Sequence, residues 1–352
     1  MNRLCQSSYG SLEAVIGISG YNGDAQCKLV HFSRDRMTGQ WSASAVVSSH
    51  PKSGGSMIQS ISKHHADQEH GDFEVVVLEE NGTLQHYTRD NTPAEKGAYA
   101  WRLSATVTAA SESKPPVTAI YAAPLIQSQL STDDDSDGTT LETIVVDKNR
   151  KAIHYRCAQY GTSNKSVEHR HQWREGKMIS DAATGPACFY KTSSGLLTAL
   201  VPSVDGVRRY HFRSTDWTFV DKFAPNGVPN GVYTTLMSGT TTFHAFVRAG
   251  YEIHDYLHQA KVWKTSTSPL PASLSRIIYT PYHRVNSTNP ISILFQPANT
   301  VGQSHNTEAI CFHACGTGFQ DAWMILHWSL LAGTDKWFVS DIVLPRVIGM
   351  PM

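Results

Sequence analysis

Apolar and polar residues alternate along most of this chain in short runs. The clearest stretch is residues 71–89, GDFEVVVLEENGTLQHYTR. Phe73, Val75 and Val77 alternate with Glu74, Val76 and Leu78, and beyond Asn81-Gly82 the residues Leu84, His86 and Thr88 alternate with Gln85, Tyr87 and Arg89. Period-two alternation predicts strands. Asn-Gly between two such runs predicts a tight hairpin, because both residues tolerate positive φ. Trp101 follows after a polar linker. Weaker versions of the phrase recur: 12–18 and 28–33 before Trp41, 141–146 and 151–156 before Trp173, 196–201 and 207–212 before Trp217, and 242–247 and 251–256 before Trp263. A further strand is predicted ahead of each hairpin but the first, at 57–62, 117–123, 187–190 and 228–236. Helical periodicity is nearly absent.

The second strand of these hairpins carries an aromatic at one register: Phe32, Tyr87, Tyr155, Tyr210 and Tyr256. The residue before it is His31, His86, His154, Arg209 or Asp255. Adjacent residues on a strand face opposite sides, so the aromatics are expected to pack between neighbouring sheets. Short strands recurring at the spacing of one four-stranded unit predict an all-β, single-domain β-propeller over residues 1–352. After Trp263 the pattern blurs, with strands expected at 274–280, 291–296, 309–313 and 323–328 before Trp337. Counting tryptophan-marked units gives six blades, and the stretch between Trp263 and Trp337 leaves room for a seventh. The tail 338–348 is expected to pair with the first repeat, supply the strand missing before Leu12, and close the ring without an open edge.

Composition narrows the partners. Thirty basic and thirty acidic residues in 352 balance to zero, which points away from nucleic acid and anionic membrane surfaces. Eight tryptophans, fourteen tyrosines and seventeen histidines favour sheet and flat or sugar-like ligands. No secretory apolar region and no membrane-spanning stretch is apparent, so a cytoplasmic location is expected. The six scattered cysteines read as free, mostly buried thiols. Nucleophile-elbow, H-E-x-x-H, Walker and dinucleotide motifs are missing, and no cofactor is expected.

Candidate chemistry lies in a few places. His31, His86 and His154 share a repeat position, which marks them as scaffold. His64 and His65 lie at a strand exit where side chains can reach a central pocket. His283-Arg284 follows Tyr279-Thr-Pro-Tyr282 at the corresponding exit of the sixth unit. Tyr121, Tyr190, Tyr233 and Tyr279 fall in strands that line the axis of a propeller, where phenols grip a ligand by area and hydrogen bonds. The expected catalytic set is therefore His65, His283 and Arg284. The expected substrate-binding set is His64, Tyr121, Tyr190, Tyr233, Tyr279 and Tyr282. Asp133, Asp135, Asp137 and Gly138 place alternate carboxylates on a loop. The full calcium pattern fails because Ile144 stands where a bidentate glutamate is needed. Cys311, His313 and Cys315 do not converge on a strand, and no metal is expected.

FEVVVLEENGTLQHYTRDN…W, from residue 73, resembles the blade phrase of fungal and bacterial propeller lectins. LEAVIGI…KLVHFSRD…W, LETIVVDKNRKAIHY…W and LLTALVPSVDGVRRYHF…W repeat it along nearly the whole chain. That resemblance implies a propeller with glycan sites between blades. In its decayed repeats, its one asymmetric set of His, Tyr and Arg loops and its lack of a cofactor motif, the chain also resembles the hetero-Diels–Alder enzymes of tropolone–sesquiterpenoid biosynthesis. This second resemblance implies a cofactor-independent pericyclase with an apolar or aromatic small-molecule substrate. It would join a tropolone-derived quinone methide to a humulene-type alkene in one central pocket. Proton transfer would fall to His65 or His283, charge stabilisation to Arg284, and the larger contribution to positioning. The pericyclase is the leading expectation and the glycan-binding lectin its alternative. The first predicts one deep apolar pocket, the second several shallow junction sites.

Overall fold

The structure, a computed structural model, describes residues 4–7, 11–19, 26–35, 37–52, 55–60, 71–90, 100–109, 115–122, 124–128, 139–159, 172–192, 196–213, 215–223, 228–236, 243–249, 252–259, 262–265, 294–297, 307–314, 322–330 and 337–348. From residue 294 onward it is the backbone course that is described. Every regular element among these residues is a strand, and no described helix is long and apolar enough to cross a membrane.

The strands form six separate antiparallel sheets. The first runs β1 (Leu4–Gln6), β2 (Leu12–Ser19), β3 (Cys27–Arg34), β4 (Trp41–Ser48). The second runs β5 (Ser56–Gln59), β6 (Phe73–Leu78), β7 (Leu84–Arg89), β8 (Arg102–Thr106). The third has β10 (Ile126–Ser128), β11 (Thr139–Asp147), β12 (Ala152–Gln159) and β13 (Trp173–Ser180), with β9 (Ala119–Ala122) also pairing β11. The fourth is β14 (Cys188–Lys191), β15 (Leu197–Ser203), β16 (Gly206–Arg213), β17 (Asp216–Phe223). The fifth is β18 (Pro229–Leu236), β19 (Phe243–Ala249), β20 (Glu252–Gln259), β21 (Val262–Thr265). The sixth is β22 (Leu294–Pro297), β23 (Thr307–Ala314), β24 (Ala322–Leu330), β25 (Trp337–Ile348).

Burial falls from the inner to the outer strands. All of β6 and β15 is buried, which fits strands covered on both faces. β4 and β17 are mostly exposed. The core lies between sheets rather than within one. Phe73, Val75 and Val77 meet Val15, Leu29 and Val47 of the first sheet, while Val76, Leu78 and Leu84 meet Leu141, Val145 and Tyr155 of the third. Each such side chain contributes about 1.5–3 kcal/mol on burial. The repeat aromatics behave as expected. Tyr87, Tyr155, Tyr210 and Tyr256 each join the cluster shared with the preceding sheet. Cys5, Cys157 and Cys188 are buried free thiols and Cys27 a partly buried one.

The Asn81-Gly82 hairpin forms, but by a different turn. Gly82 alone takes positive φ, at 81°. Gly82 N–H donates to the Glu79 carbonyl at 2.9 Å and Glu79 N–H to the Thr83 carbonyl at 2.9 Å. This is a type I turn closed by a left-handed residue. Asn81 stays out of the left-handed region and uses its Oδ1 to accept from Thr83 N–H at 2.9 Å. The next sheet repeats the turn, with Arg150 at φ 63° in the glycine's place.

The expected ring closed by the C-terminal strand is not what the chain makes. β25 pairs with β24 from Trp337 to Ile348 and with no strand of the first sheet. The strand beside β2 is β1, with Leu4 opposite Ala14 and Gln6 opposite Leu12. Pairing the tail with its sequence neighbour closes a short loop. Pairing it with the first repeat would close one spanning nearly the whole chain at greater entropic cost. The molecule is an all-β set of open sheets, roughly propeller-like, and no sheet closes on itself or borrows a strand from another. The described strands beyond Trp263 and β21 build one sheet, so nothing described supplies a seventh.

Candidate functional site

One backbone position repeats in all six sheets, and its chemistry changes along the chain. On the third strand of each sheet it is His31, His86, His154, Arg209, Asp255 and His327. In register these lie opposite Val15, Val76, Ile144, Leu200, Phe246 and Ile310 of the second strand. Two residues further along the third strand, the opposing second-strand residues are Glu13, Glu74, Glu142, Thr198, His244 and Glu308. The outer strand shifts register beside this position in the first four sheets and in the sixth. Such bulges re-aim the strand that carries them. Gly176 sits in the third of them, where an added Cβ would come within 3.0 Å of the His154 carbonyl.

The first three junctions are closed by a buried pair. His31 Nε2 lies 2.9 Å from Glu13, His86 Nε2 2.8 Å from Glu74, and His154 Nε2 2.6 Å from Glu142. All six side chains are at most 2% exposed. Hydroxyls complete the carboxylates: Ser33 on Glu13 at 3.1 Å, Thr88 on Glu74 at 3.0 Å, and Ser128 on Glu142. Each imidazole presents its ring to a tryptophan of the next sheet in T-shaped contact: His31 to Trp101 at 5.5 Å, His86 to Trp173 at 5.6 Å, and His154 to Trp217 at 5.4 Å. The Nδ1 of His86 accepts from Trp173 Nε1–H at 3.3 Å, and that of His31 from Arg89 at 2.8 Å. Indole and guanidinium nitrogens only donate. Both rings are therefore neutral and give their Nε2–H to the glutamate. Burial, helped by the Arg89 charge, lowers the pKa of His31 against the opposing pull of Glu13. The expectation that these histidines are scaffold holds.

The fourth junction is built differently. Arg209, from β16, donates through Nε to Asp221 Oδ1 at 2.9 Å and through Nη2 to Asp221 Oδ2, and through Nη1 to His258 Nε2 of the fifth sheet at 2.7 Å. Its guanidinium lies 5.8 Å from the Trp263 ring centroid, within cation–π range. Phe223 stacks on Trp263 at 3.9 Å and His258 tilts against it at 4.8 Å. Arg209 is buried, but Trp263, His258, His211 and Asp221 are partly exposed. Burial, then the Arg209 charge, lowers the pKa of His258 to about 4. Burial with Arg209 and Arg213 lowers that of His211 as well. Burial pushes the Tyr190 phenol far up, against the pull of Arg209. The junction thus presents a partly exposed indole, a guanidinium–carboxylate fork and two uncharged imidazoles. No three described His, Cys, Asp or Glu side chains are placed to hold a metal.

Of the residues singled out from sequence, Tyr190 lies in this junction, on β14 opposite Thr198 and packed against the fifth sheet's cluster. Tyr121 is on β9 opposite Val146 and packs on the cluster between the third and fourth sheets. Tyr233 is on β18 opposite Phe246. His64, His65, Tyr279, Tyr282, His283 and Arg284 lie outside the described residues, as do Asp133, Asp135, Asp137, Gly138 and Cys315. Sequence reasoning did not single out Glu13, Glu74, Glu142, Thr198, His211, Asp221 or His258. The signal for the glutamates was present: an acid in second place of the strand phrases LEAV, FEVV and LETI.

No protein-family model and no curated protein matches the chain. Solved structures do. A fungal lectin from Aleuria aurantia, described as a six-bladed β-propeller with a novel fucose recognition mode, is similar over 98% of both chains, with TM-score 0.59 and 13% identity. A triple arginine-to-alanine mutant of AofleA from Arthrobotrys oligospora matches 97% of this chain and 85% of its own, with TM-score 0.57 and 12% identity. The lectin SapL1 in complex with α-methyl fucoside matches 97% and 98%, with TM-score 0.55 and 10% identity. The fold is that of fungal lectin-like propellers, at a distance. The pericyclase expectation is overturned: the structures this chain matches include sugar-binding lectins, none ties it to hetero-Diels–Alder, tropolone or sesquiterpenoid chemistry, and the asymmetry that suggested an enzyme resolves into one altered junction among buried structural pairs.

Proposed function

We propose that this chain binds a glycan at the junction of the fourth and fifth sheets. The observation that carries the reading is the pairing of partly exposed Trp263 with the Arg209–Asp221 fork. A sugar ring has an apolar C–H face and a rim of hydroxyls. An indole takes the face by contact area, and a fixed guanidinium–carboxylate pair offers donors and acceptors to adjacent hydroxyls. Tyr190 adds a further phenol to the same place. Two of the similar folds are described with fucose or a fucoside, which supports a sugar as the ligand class. The first three junctions have spent their polar groups on one another, so the reading assigns them to stability.

A glycan array followed by calorimetric titration of the best glycan tests this. The wild-type chain should retain a defined glycan set, and Arg209→Ala should weaken binding at least about tenfold, the loss expected for one charged hydrogen-bonding partner. An empty array, or an Arg209→Ala variant that binds unchanged, defeats the proposal.

A further inference from the structure

Thr198 stands where the first three sheets carry Glu13, Glu74 and Glu142. In those sheets the carboxylate reaches across to the histidine and fills the junction with its own hydrogen bonds. Threonine is shorter and cannot. Thr198 is completely buried, and its hydroxyl meets no hydrogen-bond partner. Its register neighbour on β16 is His211, whose Nδ1 is likewise buried and unpartnered. Its neighbour on the other side is Tyr190, whose phenol approaches the threonine without closing a hydrogen bond of normal geometry. A polar row, Tyr190–Thr198–His211, therefore crosses three strands beside the Arg209–Asp221 fork. Buried polar atoms are nearly always satisfied, so two open ones in a single row point to a group that arrives from outside.

Resting on the glycan reading above, we propose that Thr198 is the specificity-determining residue of the junction, and that a ligand hydroxyl bridges Thr198 Oγ1 and His211 Nδ1. Glutamate at this place is what seals the first three junctions. The ligand class follows from charge. Arg209 already has Nε and Nη2 committed to Asp221, so the fork as a unit is neutral. A ligand carboxylate would meet Asp221, and a ligand amine would meet Arg209 and Arg213. A hydroxyl both donates and accepts, which suits a threonine hydroxyl and an uncharged imidazole. The site takes a neutral sugar rather than a sialyl or uronyl one.

The test titrates wild type, Thr198→Ser, Thr198→Val and Thr198→Glu with methyl glycosides of neutral hexoses, 6-deoxyhexoses and N-acetylhexosamines, beside sialyl and uronyl glycosides. Melting curves check folding. Wild type and Thr198→Ser should bind a neutral glycoside alike, Thr198→Val should bind it at least about tenfold more weakly, and Thr198→Glu should not bind. If Thr198→Glu fails to fold, the serine–valine contrast decides alone. Wild type binding no glycoside brings down the glycan reading itself. Wild type binding while valine and glutamate variants bind as tightly overturns the role of Thr198 and leaves that reading standing. A preference for sialyl or uronyl glycosides overturns the charge assignment.

Discussion

His86 shows how a polar side chain is kept inside a wall of packed sheets. Its Nε2–H goes to Glu74 and its Nδ1 accepts from Trp173, so both ring nitrogens are spent. Glu74 takes a second hydrogen bond from Thr88 at 3.0 Å. Removing the carboxylate leaves a fully buried N–H with nothing to meet. Glu74→Ala should therefore cost about 3–5 kcal/mol, the range for breaking a buried pair from one side, and Glu74→Gln, which keeps an acceptor, clearly less. Urea unfolding measures both. The histidines with lowered pKa set an acid limit. A histidine that ionises less readily folded than unfolded contributes stability that is complete above its ordinary pKa of 6.5 and is lost as pH falls below it, because the unfolded chain binds the proton first. For His258 the loss runs from 6.5 down to about 4, and His31, lowered by burial, acts in the same direction. Stability should decline across that window, and His258→Gln should flatten part of the decline in pH-dependent melting curves.

At the scale of elements, the strands were legible where alternation ran long enough. β6 and β7 fall inside the stretch read from sequence, because a buried second strand and an Asn-Gly turn both leave strong local marks. β1 was not legible: Leu4–Gln6 is too short to carry a period, and it is a strand only because β2 pairs with it. The sixth unit looked blurred, yet its backbone repeats the register of the others, with Glu308 opposite Ser329 and His327 opposite Ile310. The turns differ in a testable way. Arg150 occupies the left-handed position that Gly82 holds one sheet earlier. The left-handed conformation costs a non-glycine residue about 1–2 kcal/mol, and glycine returns about 0.4–1 kcal/mol of that through the unfolded chain. Arg150→Gly should raise stability by up to about 1 kcal/mol in urea unfolding. A loss would mean the arginine side chain holds the turn.

At the scale of the molecule, the candidate site was less legible than the fold for a physical reason. Each junction joins residues from two sheets, such as Arg209 with His258 and Trp263, far apart in sequence. The sequence displays the repeat that builds the scaffold, while Thr198 signals only by failing to be a glutamate. The outermost strand of the sixth sheet gives a prediction at this scale. β25 covers the long edge of β24, AWMILHWSL. Deleting residues 337–352 should leave that apolar edge open, and open apolar edges pair between chains. The shortened protein should elute as aggregates in size-exclusion chromatography, where the full chain does not.

Because no strand is shared between sheets, the order of synthesis and the order of assembly coincide. Each hydrogen-bonded unit is complete as soon as its own last strand has left the ribosome, and waits only for the side chains of the next to cover its face. Inheritance follows the same grain. A substitution in one sheet disturbs no neighbour's backbone ladder and is felt only across a single junction. A threonine can thus replace a glutamate in the fourth sheet and remake one junction while the first three keep their sealed pairs.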